Sequence, residues 1–61
     1  MTFSAADKIE AVERELGMRR RVYERRLAEG KMSHAFAARQ IGVFEEILED
    51  YRAEWEKGRL L

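Results

Sequence analysis

The residues best suited to chemistry in this chain are charged, and they fall into two groups of opposite sign. The first group lies in the stretch MRRRVYERRLAEGKMSHAFAARQ, residues 18–40. Its bases are Arg19, Arg20, Arg21, Arg25, Arg26, Lys31 and Arg39. Arginine and lysine can neutralise nucleic-acid phosphates, or they can pair with the carboxylates of a protein partner. We favour bases that are solvated or that pair with a protein partner, because no recognition-helix motif or base-reading pattern accompanies them.

The second group is the acidic run Glu45, Glu46, Glu49 and Asp50. Three interpretations are open: a solvated face, a divalent-metal site, or a mimic of phosphate charge that occupies the DNA groove of another protein. Carboxylate metal sites in helical bundles usually add a Glu-x-x-His pair, which this segment lacks. We therefore favour a solvated face, and we expect no metal or cofactor.

The sequence shows no pattern typical of catalysis. His34 is the only histidine, and the chain contains no cysteine. Nucleophile–base arrangements, phosphate-binding loops and zinc-ligand spacings are all missing. We therefore expect a protein that is not an enzyme and that has no small-molecule substrate.

Length and composition predict one small domain, residues 1–61, with a formal net charge of zero. No apolar run approaches the ~20 residues that span a bilayer, so we expect no membrane insertion. The start MTFSAADKIE lacks the features of a secretory signal, which favours the cytoplasm. A chain this short has a marginal core unless it gains disulfides, a metal or a partner, and we expect a partner.

Capping residues and apolar spacing predict a first helix over about residues 4–29. Ser4 is a suitable N-cap, with Asp7 three residues later, and Gly30 is a suitable stop. The main apolar stripe contains Ala5, Ile9, Val12, Leu16, Tyr23 and Leu27. A shorter second stripe, formed by Ala11, Met18 and Val22, indicates that this helix contacts more than one neighbour.

A second helix is predicted over about residues 34–57, after a turn at 30–33, with Ser33 as N-cap and Gly58 as stop. Because the turn is short, the second helix must fold back beside the first, which gives an all-α antiparallel helical hairpin. Gly42 lies inside this helix, where it is either merely tolerated or permits the close approach of another chain.

The apolar face of the second helix is too broad for one neighbour, so we expect two hairpins to form a four-helix bundle with coiled-coil packing. We consider Trp55 the first candidate for an interface anchor. The predicted core and interface residues are Ile9, Val12, Leu16, Tyr23, Phe36, Ile41, Phe44, Ile47, Leu48, Tyr51 and Trp55.

Charge changes sign twice along the chain. Residues 1–17 carry four acids and two bases, residues 18–39 seven bases and two acids, and residues 40–61 six acids and three bases. A hairpin would therefore be basic at its loop end and acidic at its open end. Arg21 and Arg25, like Glu45 and Glu49, are like charges four residues apart, which destabilise a lone helix. We expect the acids of one chain to meet the arginines of another in an antiparallel twofold dimer.

Residues 18–52, MRRRVYERRLAEGKMSHAFAARQIGVFEEILEDYR, resemble short uncharacterised proteins found in bacteriophages and prophages of proteobacteria. Those proteins have a start rich in methionine and arginine, a VYP step, a GKLS turn and a helix of the form A…R.I..M..I..DY. Here residues 22–24 read VYE and residues 30–33 read GKMS, while Phe36 replaces the acid of the capping box. The resemblance implies a helical hairpin and carries no activity with it.

The stretch AARQIGVFEEIL, residues 37–48, is also similar to the second helix of the UVR helical hairpin of nucleotide-excision repair proteins, a protein-interaction element. That similarity implies only the fold. We therefore predict a small, self-associating accessory or interaction protein of the phage type, with a homodimer as the main assembly and another protein as a further partner. The alternatives are a nucleic-acid-binding accessory protein that uses the basic loop end, and an inhibitor whose acidic face binds a host DNA-handling enzyme.

Overall fold

The computed structural model describes residues 2–59 and contains two helices, α1 (Ala5–Ala28) and α2 (His34–Arg59). They pack against each other in antiparallel directions, and no strand occurs within residues 2–59, which confirms the predicted all-α hairpin. Met1, Leu60 and Leu61 belong to the predicted domain but lie outside the described residues. Neither helix in residues 2–59 has the length and apolar character that crossing a membrane requires.

A complete capping box starts α1. The Asp7 backbone N–H donates to Ser4 Oγ at 3.1 Å, and the Ser4 backbone N–H donates to Asp7 Oδ2 at 3.1 Å. Two backbone donors that the helix itself cannot satisfy are thereby satisfied. The aspartate performs the role that glutamate or glutamine more often has, and the N-cap predicted at Ser4 is confirmed.

The end of α1 is a Schellman motif centred on Gly30. The Lys31 N–H donates to the Arg26 carbonyl at 2.8 Å, and the Gly30 N–H donates to the Leu27 carbonyl at 3.1 Å. Gly30 has a φ of 71°, a left-handed conformation that glycine adopts without a Cβ clash. This geometry reverses the chain within a few residues and places α2 beside α1.

The bounds of α2, His34–Arg59, lie close to the predicted range of about 34–57. Ser33 Oγ accepts from the Phe36 N–H at 3.1 Å, so Ser33 caps the helix as expected. At the other end, the stop predicted at Gly58 is wrong, because the helix continues to Arg59. Gly30 is the only glycine with positive φ in residues 2–59, so Gly58 retains a helical backbone and does not reverse the chain.

The contact between the helices is a narrow seam. Its buried residues are Leu16 (3% exposed), Ala37 and Leu48. The hairpin measures 48 × 17 × 15 Å and its Cα radius of gyration is 14.3 Å. A compact chain of this length would have a radius of gyration of about 10.5 Å. One hairpin therefore buries little of its apolar surface.

Candidate interaction surface

Contacts across the seam distinguish the two sides of the hairpin. On one side, Arg20 Nη2 lies 2.8 Å from Glu45 Oε2, and Arg52 Nη2 lies 3.0 Å from Glu13 Oε2. We call this the bridged side. On the other side, the Arg19 guanidinium lies over the Phe44 ring, 4.4 Å from its centroid. The sides differ because Arg19 and Arg20 are about 100° apart around α1, as are Phe44 and Glu45 around α2.

The side that carries Arg19 also carries most of the exposed large apolar residues. Val22 follows Arg19 by three residues and Ile47 follows Phe44 by three, so each shares a helix face with its predecessor. Further steps of three or four residues bring Val43 and Phe36 onto the same side. We call it the apolar side, and its members are Ala11, Met18, Val22, Phe36, Val43 and Ile47. Met18, Val22, Phe36 and Val43 are each between 41% and 50% exposed.

Arg19 is held by several neighbours on the apolar side. Its guanidinium donates to Glu15 Oε1 at 2.9 Å and to the Tyr23 hydroxyl at 2.9 Å while it covers Phe44. The hydrogen bond to Tyr23 and then the one to Glu15 raise the pKa of Arg19 above its ordinary value. Nearer the open end of the hairpin, Lys8 Nζ lies 5.7 Å from the centroid of the Tyr51 ring. These cations cover apolar rings without closing off the apolar residues around them.

The structure distributes the predicted interface residues over three environments. Leu16 and Leu48 are buried in the seam. Phe36 and Trp55 are exposed in the single chain, at 50% and 39%. The half-buried members are Ile9, Val12, Tyr23, Ile41, Phe44, Ile47 and Tyr51. Trp55 packs at the open end, where the Arg59 guanidinium lies 4.8 Å from the centroid of its ring.

The structure does not gather the seven predicted phosphate-binding bases on one surface. Arg19 lies on the apolar side and Arg20 on the bridged side, and each holds a glutamate. Lys31 pairs with Glu29 at 3.0 Å. Arg21 and Arg25 lie one turn apart on the outer edge of α1, Arg39 lies on the outer edge of α2, and Arg26 borders the apolar side. Within residues 2–59, these last four make no ion pair.

The acidic run is similarly dispersed. Glu45 is held by Arg20 within the same chain. The other three acids are exposed on the solvent-facing part of α2: Glu46, Glu49 and Asp50. No cluster of three or more histidine or carboxylate groups in residues 2–59 could hold a metal ion. His34 is exposed at the first residue of α2.

An open cleft of about 430 Å³ lies on the bridged side at the open end of the hairpin. Its apolar floor is formed by Ala6, Ile9 and Trp55. Three glutamates form its rim together with Arg52, and each glutamate is in an ion pair: Glu10 with Arg14, Glu13 with Arg52 and Glu56 with Arg59. The cleft therefore combines an apolar floor with carboxylates that are already neutralised by neighbouring arginines.

Together, the seam and the two unlike sides define a helical hairpin with one apolar side. Comparison of the chain with protein-family models, with curated proteins and with solved structures found no match.

The stripe of Ala11, Met18 and Val22 is recognisable in the sequence, but its alignment with an apolar line of α2 is not. Phe36 and Ile47 were predicted to belong to one broad face of the second helix, and Val43 was not among the predicted interface residues. The missed signal is the spacing of Phe36, Gln40, Val43 and Ile47, which are four, three and four residues apart, as in a coiled-coil seam. That spacing marks a second apolar line on α2, beside the one that faces α1.

Proposed function

We propose that this protein is a non-catalytic interaction module that self-associates through its apolar side to form an antiparallel four-helix bundle. The observation that carries the proposal is the exposure of Met18, Val22, Phe36 and Val43 on one side of the hairpin. Large exposed apolar patches mark interaction sites, because water contact with them is unfavourable. Packing against the apolar side of a second copy would remove both apolar surfaces from water.

The size of the exposed surface supports association. The chain exposes 5010 Å². A compact monomer of 7.2 kDa exposes about 4,100 Å² by the general scaling of surface with mass. The excess, on the order of 900 Å², is close to the ~800 Å² that each partner buries in a protein interface of standard size.

The chemistry of the surface supports a role without catalysis. Every glutamate at the rim of the cleft is neutralised by an arginine, and Arg19 is fixed between Glu15, Tyr23 and Phe44. Such arrangements fix side chains rather than leaving a free acid, base or nucleophile beside a substrate. The resemblance of residues 18–52 to short phage and prophage proteins fits a small accessory protein of this kind, acting in the cytoplasm.

Sedimentation equilibrium over a range of chain concentrations tests the proposal. We expect the mass to rise from monomer to dimer and the melting temperature to rise with concentration, because dimerisation stabilises the folded state. Val43→Lys should shift the mass toward the monomer. Ala53→Lys is the matched control, because it adds the same charge at an exposed position of α2 off the apolar side, and it should leave the mass unchanged. A monomeric wild-type chain that still unfolds cooperatively would overturn the proposal.

A nucleic-acid-binding role is the second candidate, and the observation that favours it is the pair Arg21 and Arg25. They lie one turn apart on the outer edge of α1, and neither holds a carboxylate within residues 2–59. Fluorescence anisotropy of labelled duplex and single-stranded oligonucleotides tests this role. Binding that falls steeply with salt and is lost in the Arg21→Gln, Arg25→Gln double variant would support it. Absence of binding at low salt would leave these arginines as solvated or protein-contacting residues.

A further inference from the structure

We infer that the open cleft on the bridged side docks an uncharged aromatic side chain of a second protein. The cleft measures about 430 Å³ and lies at the open end of the hairpin, with Ala6, Ile9 and Trp55 as its floor. This site is separate from the apolar side, so the inference goes beyond the proposed self-association. When two apolar sides pack together, the bridged side faces the solvent and the cleft remains accessible.

The volume and the lining of the cleft are those of a binding site. Binding sites usually have volumes of about 300–1,000 Å³ and are mostly apolar, with a few polar groups at defined positions. Here the floor is apolar, and the rim consists of Arg52 and three glutamates. One of these glutamates is Glu13, whose Oε2 lies 3.0 Å from Arg52 Nη2 on the opposite helix. This ion pair joins the two walls of the cleft, so the cleft is defined before a ligand arrives.

Trp55 presents an aromatic surface to the cleft. Trp55 is 39% exposed, and the Arg59 guanidinium lies 4.8 Å from the centroid of its ring. Arg59 lines a neighbouring cleft of about 530 Å³, which Trp55 also borders, but Arg59 does not line the first cleft. The cation therefore covers the part of the ring that borders the second cleft. The part that borders the first cleft is open to another ring, and aromatic pairs gain stabilisation beyond that of their buried area.

The charges at the rim select an uncharged occupant. Each of the three rim glutamates is already in an ion pair with an arginine of this chain. A charged side chain in the cleft would lose contact with water without gaining an unpaired counter-charge. An uncharged ring has no such cost, and it gains from the burial of its surface against the apolar floor.

Tryptophan fluorescence tests the inference directly, because Trp55 is the only tryptophan of the chain. Three probes carry the same benzyl group and differ in charge: phenylpropionamide is neutral, phenylpropionate is an anion and phenylpropylammonium is a cation. We expect a saturating change in Trp55 fluorescence with the neutral probe, and affinities about threefold lower for both charged probes. A charged probe that binds as tightly as the neutral one would overturn the selection of an uncharged occupant.

A fourth probe tests the preference for an aromatic ring. Isocaproamide is neutral and has the isobutyl group of leucine in place of the benzyl group. We expect it to bind more weakly than phenylpropionamide, because it buries less surface and makes no ring contact with Trp55. Equal affinities of the two amides would overturn the assignment of an aromatic occupant.

Filling the cleft provides a matched pair of variants. Ala6→Phe adds a ring to the floor and should abolish the saturating change. Ala53→Phe adds the same ring at an exposed position of α2 that does not line the cleft, and it should bind phenylpropionamide as the wild type does. Helical circular dichroism checks that both variants fold. A wild-type titration that does not saturate, or one that Ala6→Phe leaves unchanged, would overturn the site.

The rim charges give a second readout that does not depend on filling the cleft. Arg52→Gln removes the partner of Glu13 and should raise the affinity for the cation, relative to the neutral probe, roughly threefold. Glu13→Gln removes the partner of Arg52 and should favour the anion in the same way. An order of affinities that neither substitution changes would overturn the role of the rim. Sedimentation of the same proteins tests self-association separately, because neither substitution lies on the apolar side.

Discussion

The two sides of this hairpin differ in how their charges are used. On the bridged side, Arg20 and Arg52 reach across the seam to glutamates of the opposite helix. On the apolar side, Arg19 lies flat on Phe44 and bonds along its own helix. The bridged side is thereby completed within one chain, whereas the apolar side still exposes large aliphatic and aromatic residues. The hairpin as a whole is therefore amphipathic, with the polar bridged side opposite the apolar side, in addition to the amphipathic character of each helix.

The seam both joins the two helices and fixes their displacement along each other. Buried residues such as Leu16 and Leu48 join the helices, and the ion pairs fix how far one helix is displaced along the other. Once that displacement is fixed, the apolar residues of both helices come into line on the remaining side. The structure therefore presents a continuous surface that neither helix could present alone.

A substitution in the seam should have the largest effect on the stability of the protein. Leu48→Ala removes a buried side chain on which both sides of the hairpin depend, at a cost of about 2–5 kcal/mol. A chain of 61 residues has a total stability of only about 3–9 kcal/mol, so we expect loss of most helical circular dichroism at 25 °C. Val43→Ala is the control on the apolar side, and its effect on melting should disappear on dilution to the monomer. Equal, concentration-dependent effects of the two substitutions would refute the distinction between seam and apolar side.

Replacing Arg19 and Arg20 in turn compares the two sides, because these adjacent arginines lie on different sides of the hairpin. Arg19→Ala removes a ring contact and two hydrogen bonds, whereas Arg20→Ala removes one exposed ion pair. We expect Arg19→Ala to lower the melting temperature by several degrees and by more than Arg20→Ala. Arg19→Lys should recover only part of the loss, because an ammonium cannot reproduce the planar contact and the two directed bonds. Identical melting curves for Arg19→Ala and Arg20→Ala would show that the contact with Phe44 contributes nothing.

Substitution of Gly42 distinguishes the two interpretations of this residue: a glycine that the helix merely tolerates, and one that permits the close approach of another chain. A Cβ built at Gly42 meets no atom within 4 Å. Gly42→Ala should therefore stabilise the protein by about 0.5–1 kcal/mol, because alanine favours the helix and glycine does not. Thermal melting measures the gain. Sedimentation should show unchanged dimerisation, since Gly42 lies toward the bridged side, and weakened dimerisation would instead place another chain against this residue.

Local signals in the sequence were sufficient for the hairpin, but the division into two sides needed the structure. Ser4 with Asp7, Gly30 and Ser33 act through neighbouring backbone atoms, so their roles were readable from short spacings. Gly58 misled because a glycine commonly ends a helix by adopting a left-handed backbone, which Gly58 does not do, and residue type alone does not reveal the backbone conformation. The pairing of Arg20 with Glu45 was not readable, because it depends on the displacement between the helices. The prediction that acids of one chain meet arginines of another therefore applies only to residues left without an intrachain ion pair.

The smallest effect should come from the bridged side, where a double-mutant cycle on Arg20 and Glu45 measures one cross-helix ion pair. Both side chains are more than half exposed, at 53% and 54%, so solvent screens their attraction. We expect a coupling free energy of about 0.2–1 kcal/mol from Arg20→Gln, Glu45→Gln and the double variant, and a lower value in high salt. None of the three variants should change the dimer mass, because the ion pair lies within one chain on the side that faces the solvent. A loss of dimer in Glu45→Gln would mean that this glutamate meets an arginine of the second copy, and the two sides would exchange their roles.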